Sequence, residues 1–244
     1  MKTVFMQATA LAALTFATPA LAQQADADDE TETVQEREII VTAQRREQSL
    51  SDIPMAVSVV GSNDIVVNNI TDTSGLVALT PGLTGKAQGI ATPVFAIRGI
   101  STNSIGIGGE SSIGVFWDEA YLGRLESANL PLYDIERVEI LKGPQSTLFG
   151  RNASAGAISI VSRRPGGKFA LDASASYASF DTYEFSGGVD LPIAGDDAGI
   201  RAAGLFRRSD GTEFDTLLGR NFAGGETLAL RSVVAARPGS AKIA

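Results

Sequence analysis

The feature that most constrains the fold is a strict alternation of apolar and polar residues in the C-terminal part of the chain. It occupies four segments, at 169–177, 183–193, 200–207 and 228–237. Because successive side chains of a β-strand point to opposite faces, each segment would have one apolar and one polar face. Segments of about ten residues with this pattern are typical of transmembrane β-barrels.

A soluble β-sandwich is the alternative, because each of its strands also has one apolar face. Two features favour the barrel. Charged residues recur on the polar face, where they suit a water-filled lumen better than a dry core, and aromatic residues lie near the segment ends (Phe169, Tyr177, Tyr183 and Phe206). Four strands leave two open edges, which lipid does not tolerate. We therefore expect residues 166–244 to be the first four strands of a truncated barrel, either in a fragment of a longer sequence or in a truncated product.

The composition excludes several kinds of chemistry. The chain has no cysteine and no histidine, which removes disulfides, thiol nucleophiles, Ser-His-Asp triads and most zinc sites. Its net charge of −8 argues against nucleic acid as a partner. A carboxylate-based hydrolase using Asp118 and Glu119 is disfavoured, because adjacent strand residues point to opposite faces. We predict no enzymatic activity, no cofactor and no metal site.

The first 22 residues have the features of a secretory signal peptide. Lys2 supplies a positive start, 8–17 is a short apolar run, and Ala20-Leu21-Ala22 is a cleavage signal before Gln23. A buried N-terminal helix is the alternative. The signal predicts that the mature chain is exported.

The segment that follows is polar and acidic, and we expect residues 23–47 to form a disordered tether. Within it, Ile39, Ile40, Val41, Thr42 and Ala43 form a short β-prone run. This run is either the first strand of the next domain or a docking peptide that adds as a strand to the sheet edge of a partner.

Residues 48–165 are predicted to form one α+β domain. Strands are expected near 55–60, 83–88, 93–98 and 113–118, and helices at 62–67 and about 73–79. The last part, Ile135–Pro165, reads as a strand, a single helical turn and a second strand, with glycines at 143, 150 and 156 where the chain must reverse sharply. The glycine- and serine-rich segment 101–114 has no core pattern.

Three motifs in this domain resemble one known family. ERVEILKGPQSTLFGRNASAGAISIVSRRP (Glu136–Pro165), IRGIS (Ile97–Ser101) and VFWDEAYLGR (Val115–Arg124) are similar, in this order, to the plug domain of TonB-dependent outer-membrane receptors. The likeness covers roughly residues 38–165. Lys142, Glu119 and Ser146 depart from the usual arginine, hairpin glycine and smaller residue of the family.

The resemblance implies a fold and a set of site residues. The fold would be an α+β plug domain followed by the first strands of a transmembrane antiparallel β-barrel. Residues 39–43 would be the TonB box, which an energy-transducing protein of the inner membrane grips and pulls. Arg98 and Lys142 would pair with barrel carboxylates and lock the plug in place, although both could instead be solvated strand ends. The segment after Arg98 is either a connector or a ligand-sensing loop, with candidates Ser101, Asn103, Ser104, Glu110 and Ser111.

The implied function is energy-dependent uptake of a large, scarce extracellular ligand across the outer membrane. A ferric siderophore is the expected cargo, and oligosaccharides and cobalamin are the other classes that the family carries. The plug and the box would be accessible from the periplasm, and the barrel would be embedded in outer-membrane lipid. A structural or adhesive barrel protein that transports nothing, or an inactive truncated receptor, is the alternative.

Overall fold

The computed structural model describes residues 39–42, 46, 48–88, 92–101, 111–123, 129–194, 197–211, 213–217, 219–222 and 224–236. The predicted signal peptide and almost all of the acidic tether lie outside these ranges. Among the described residues, no helix has both the length and the apolar character needed to cross a membrane.

The first part of the chain alternates short strands and helical turns. In chain order these are β1 (Ile40–Val41), β2 (Gln48–Ser49), β3 (Ala56–Gly61), α1 (Ser62–Val67), α2 (Leu76–Leu79), β4 (Leu83–Gln88), β5 (Thr92–Ile97), β6 (Ile113–Trp117), β7 (Ala120–Tyr121), β8 (Ile135–Lys142), α3 (Ser146–Phe149) and β9 (Gly156–Ser162). Single 3-10 turns at Leu50–Asp52 and Thr73–Gly75 precede β3 and α2. Most predicted elements are present within one or two residues; the exception is the second helix, whose first turn is 3-10.

A five-stranded mixed sheet organises this part, in the order β3-β8-β9-β6-β7. β8 runs antiparallel to both neighbours, whereas β6 and β9 are parallel. One face packs Val138, Ile140 and Ile158 against α1, α2 and the β4–β5 hairpin. The other face packs Leu141 and Phe116 against α3 and the N-terminal segment. The sheet is therefore covered on both faces, which explains why β9 is buried along its whole length.

Two of the three glycines in the last motif are required for different reasons. Gly150 has φ +83° with open space where a Cβ would be, so only its backbone conformation calls for glycine. At Gly156, which has φ +157°, a Cβ would lie 2.4 Å from the carbonyl oxygen of Leu141. The sharp reversal before β9 therefore brings two backbones closer than any side chain permits.

The second part of the chain forms a four-stranded antiparallel sheet. Its strands are β10 (Ala170–Ala178), β11 (Thr182–Pro192), β12 (Ala198–Ser209) and, after the separate hairpin β13 (Glu213–Asp215) and β14 (Arg220–Phe222), β15 (Gly225–Ala236). Leu171, Phe185, Leu230 and Val234 are exposed on one face, whereas Arg201 and Leu205 of the opposite face are buried. The four predicted strands are present, and the connection between the third and the fourth contains the additional hairpin.

Candidate functional site

The predicted box is a docked strand. Ile40 and Val41 pair antiparallel with Ser49 and Gln48, and the amide of Leu50 donates to the carbonyl of Ile39 at 2.9 Å. Val41 is fully buried (0% exposed) in the cluster that contains Leu141 and Phe149, whereas Ile39 and Ile40 are exposed. Ala43 lies outside the described residues. The segment thus forms the first strand of this domain, and its role as a partner-binding box stays a prediction.

Thr42 extends this docking onto the mixed sheet. Its amide and its hydroxyl donate to Oε1 of Glu139 at 2.8 and 3.1 Å, and Nε of Arg137 donates to the same oxygen at 2.8 Å. Arg137 also contacts the Thr42 hydroxyl, at 3.4 Å, and the exposed carboxylate of Glu136. A charged pair of β8 therefore holds the end of the candidate box.

The two residues of the predicted lock, Arg98 and Lys142, lie in different elements of the fold. Arg98 (φ 53°) and Gly99 (φ 80°) are the central residues of a tight turn closed by hydrogen bonds between Ile97 and Ile100. Positive φ at both positions is the pattern of a type I′ turn and explains the glycine of IRGIS. Lys142 is half-buried at the end of β8. Neither forms an ion pair with another of the residues that the structure describes, so the lock stays a prediction.

The candidate ligand-sensing residues are only partly described. Ser101 is exposed just after the Arg98 turn, and the hydroxyl of Ser111 accepts the Ile113 amide at 3.1 Å at the start of β6. Asn103, Ser104 and Glu110 lie outside the described residues. The structure therefore leaves their predicted role untested.

A buried ionic cluster that the sequence did not predict joins the two sheets. The guanidinium of Arg201, on the polar face of β12, is 3% exposed. It contacts Asp134, just before β8, at 2.5 Å, Asp190 of β11 at 2.8 Å and Asp172 of β10 at 2.8 Å. One arginine of the barrel-type sheet thus bridges two neighbouring strands and the mixed-sheet domain.

Arg231 of β15 supports the same carboxylate. It donates to the backbone oxygen of Asp134 at 2.6 Å and to its Oδ2 at 3.1 Å. Its guanidinium lies over the rings of Tyr133 and Trp117, at 4.9 and 5.3 Å from their centroids. Burial raises the pKa of the Tyr133 hydroxyl, an effect that Arg231 opposes, so the ring facing the cation is neutral at physiological pH.

This contact is separate from the predicted lock, which stays a prediction. Its charges are placed the other way round: the carboxylate of Asp134 belongs to the mixed-sheet domain, and Arg201 and Arg231 belong to the four-stranded sheet. The charged residues of the alternating segments gave a partial signal, because Arg201 and Arg231 occupy their polar faces. No signal identified Asp134, which has a positive φ (53°) in a loop before the strand. The described part of the chain holds no group of three or more acidic residues arranged to bind a metal ion.

The two sheets and their order along the chain are those of known receptors. Residues 49–157 match the family model of the TonB-dependent receptor plug domain. The iron-regulated outer membrane virulence protein of Vibrio cholerae is 30% identical over 162 residues, which cover 62% of this chain and 22% of that protein. The vitamin B12 transporter BtuB of Photobacterium profundum is 27% identical over 153 residues, which cover 62% of this chain and 25% of that protein.

The fold is also similar to that of a solved structure. The ferric yersiniabactin uptake receptor FyuA from Yersinia pestis superposes with a TM-score of 0.60 at 23% identity, over 74% of this chain and 28% of that one. The chain therefore spans about a quarter or less of the length of the curated relatives named above. Residues 49–157 are therefore a TonB-dependent receptor plug domain, and the antiparallel strands that follow are arranged as in these receptors.

Proposed function

We propose that this chain is the N-terminal part of an outer-membrane receptor that imports a large, scarce ligand with energy supplied through TonB. In this proposal residues 1–22 direct export, 23–47 form the tether with its box, 48–165 the plug and 166–244 the first barrel strands. A ferric siderophore is the proposed cargo class. The names of two relatives refer to iron regulation and ferrichrome, and those of others to vitamin B12.

One observation carries the proposal: the box segment is a strand of a separate two-stranded sheet, outside the five-stranded sheet of the plug. β1 has two residues, and its described strand partner, β2, is equally short. Such a strand can exchange its backbone hydrogen bonds for those of a partner's sheet edge while the strand pairing of the five-stranded sheet stays intact. A handle of this kind transmits force from the periplasmic side to the plug.

The exposed apolar face of the four-stranded sheet supports the proposed location. Leu171, Leu228 and Leu230 are largely exposed, together with Phe185 and Val234. An exposed sheet face that is rich in leucine and aromatic residues is typical of the lipid-facing side of an outer-membrane barrel.

Titration of the periplasmic domain of a TonB-type protein with a peptide of residues 36–46 tests the proposal. We expect saturable binding by the wild-type peptide and loss of binding for Val41→Pro, because proline removes a backbone donor from the added strand. Val41→Thr is the matched control, since it retains the β-branch and the donor. Absence of binding, or binding that Val41→Pro leaves unchanged, would favour a barrel protein that transports nothing.

A further inference from the structure

Glu139 is a buried acidic residue at the centre of the mixed sheet. It lies on β8, opposite Val59 of β3 and Ser159 of β9, and its exposed fraction is 0%. A carboxylate in this position requires donors, because burial of an unpaired charge is strongly unfavourable. The origin of its donors therefore determines what keeps this face of the plug closed.

Most of these donors come from the candidate box. Oε1 accepts the amide and the hydroxyl of Thr42, and the third donor to this oxygen is Nε of Arg137. Oε2 is buried and has no hydrogen-bond partner among the described residues. If the box leaves, Glu139 retains only Arg137 of its three donors to Oε1.

Val41 couples this polar contact to apolar packing. Its side chain lies in the cluster formed by Leu141, Phe149 and other residues on the Glu139 face of the sheet. Thr42 follows it directly, so the strand cannot withdraw Val41 from this cluster without also moving the two Thr42 donors. Release of the box is thus expected to be a single step rather than gradual fraying.

We infer that Glu139 is the positioning residue that holds the box in its docked state, so that a partner can take the box only after Thr42 leaves this carboxylate. The inference rests on the proposed function for the identity of the box, but the docking itself is a property of the plug. The three Oε1 contacts give the docked state a defined register and place a threshold on its release. We call these contacts of Glu139 with Thr42 and Arg137 the latch.

Cysteine accessibility measures the latch directly. The chain has no cysteine, so a reporter at the buried position, Val41→Cys, would be introduced into a cysteine-free version of the complete gene product in outer-membrane vesicles. The rate of maleimide labelling then reports how often the box is released. A second reporter in the opposite core, Val60→Cys, reports opening of the plug as a whole.

We expect Glu139→Ala to accelerate labelling at position 41 by ~10-fold or more, because hydrogen bonds to a charged group are among the stronger ones. Thr42→Val removes the contacts of the hydroxyl with Glu139 and Arg137 but keeps the amide contact, and should give an increase of a few-fold. Glu136→Gln is the matched control, since Glu136 contacts the same arginine but is exposed, and it should leave the rate unchanged.

Unchanged labelling at position 41 in Glu139→Ala, with position 60 protected, would overturn the inference. If Glu139→Ala exposes both reporters, the result with Thr42→Val is decisive, because this variant leaves the buried Arg137–Glu139 pair intact. Faster labelling at position 41 alone would then support the inference, and an unchanged labelling rate would refute it. The assay uses neither a TonB-type protein nor a ligand. It can therefore succeed when peptide binding fails, and fail when peptide binding succeeds, which separates this inference from the proposed function.

Discussion

Replacement of Arg201 by methionine should loosen the plug where it meets the barrel strands. The change keeps most of the side-chain volume but removes the cation shared by Asp134, Asp172 and Asp190. Asp134, whose side chain is 5% exposed, retains Arg231, whereas Asp190 loses the one ion pair that it makes among the described residues. Removing one partner of a buried ion pair costs about 3–5 kcal/mol, chiefly because the remaining charge stays buried.

Arg207→Met is the matched control on the same face of the same strand. Arg207 lies 3.8 Å from Glu184, and both side chains are about one-third exposed. Such a pair contributes about 0–1 kcal/mol, because solvent screens it. The two substitutions therefore share the strand, the face and the chemistry, and differ in burial and in the number of carboxylates contacted.

Hydrogen exchange of the complete gene product in detergent, followed by mass spectrometry, measures the effect locally. Exchange of the β8 amides of Arg201→Met should accelerate by about 100-fold to several-thousand-fold, since each 1.4 kcal/mol corresponds to a factor of ten. Arg207→Met should change it by less than about five-fold. Equal exchange rates in the two variants would refute the reasoning that the Asp134 cluster anchors the plug.

Four further substitutions test the local geometry through the denaturant midpoint of the same protein. Glu119→Gly should raise the unfolding free energy by about 0.5–1 kcal/mol, because Glu119 has φ 70° in a two-residue hairpin turn; a lower midpoint would contradict this. Gly156→Ala should lower it by about 2–4 kcal/mol through the clash with the Leu141 carbonyl, against about 1 kcal/mol for Gly150→Ala, where space is open; equal losses would count against the clash. Trp117→Phe should lower it by about 1 kcal/mol, because the indole N–H donates to the Ser162 hydroxyl at 2.8 Å, and an unchanged midpoint would show that this bond is dispensable.

The strands of the second sheet could be predicted from the sequence, because the alternation of apolar and polar residues is a local pattern. Alternation predicted the faces of β10, β11, β12 and β15, since a one-residue shift would exchange the apolar and polar faces of a strand. The tight turns at 98–99 and 118–119 were also locally encoded, although Glu119 replaces the expected glycine. Both have positive φ at their two central residues, which ended the predicted strands one residue early.

The buried ionic cluster around Arg201 and the contact between Thr42 and Glu139 could not be predicted in the same way, because both join distant parts of the chain. Asp134 and Arg201 are 67 positions apart, and Thr42 and Glu139 are 97 apart. In the sequence, Asp134 is one acidic residue in a loop, and Glu139 interrupts an apolar run as an ordinary strand-surface residue would. Only the packing of the two sheets and of the N-terminal segment shows that both carboxylates are buried.

The helical segments were predicted in position but less well in detail. α1 begins at Ser62, as predicted, and the Asp64 carboxylate accepts the amide of Gly61 at 3.2 Å. The helix predicted over 73–79 divides into a 3-10 turn and α2, because the Asp72 carboxylate accepts the amides of Ser74 and Gly75. Side-chain to backbone hydrogen bonds of this kind compete with regular helix geometry and leave little trace in hydrophobic periodicity.

Photocrosslinking from the box in living cells tests the central claim most directly. A photoreactive residue would replace the exposed Ile40, and Val66, exposed on α1 of the same plug, would serve as the control position. The account predicts an adduct with the TonB-type protein from position 40, its loss when Val41→Pro is added, and no adduct from position 66. No adduct from position 40, or equal adducts from both positions, would contradict the claim that this segment is the handle through which the receptor is driven.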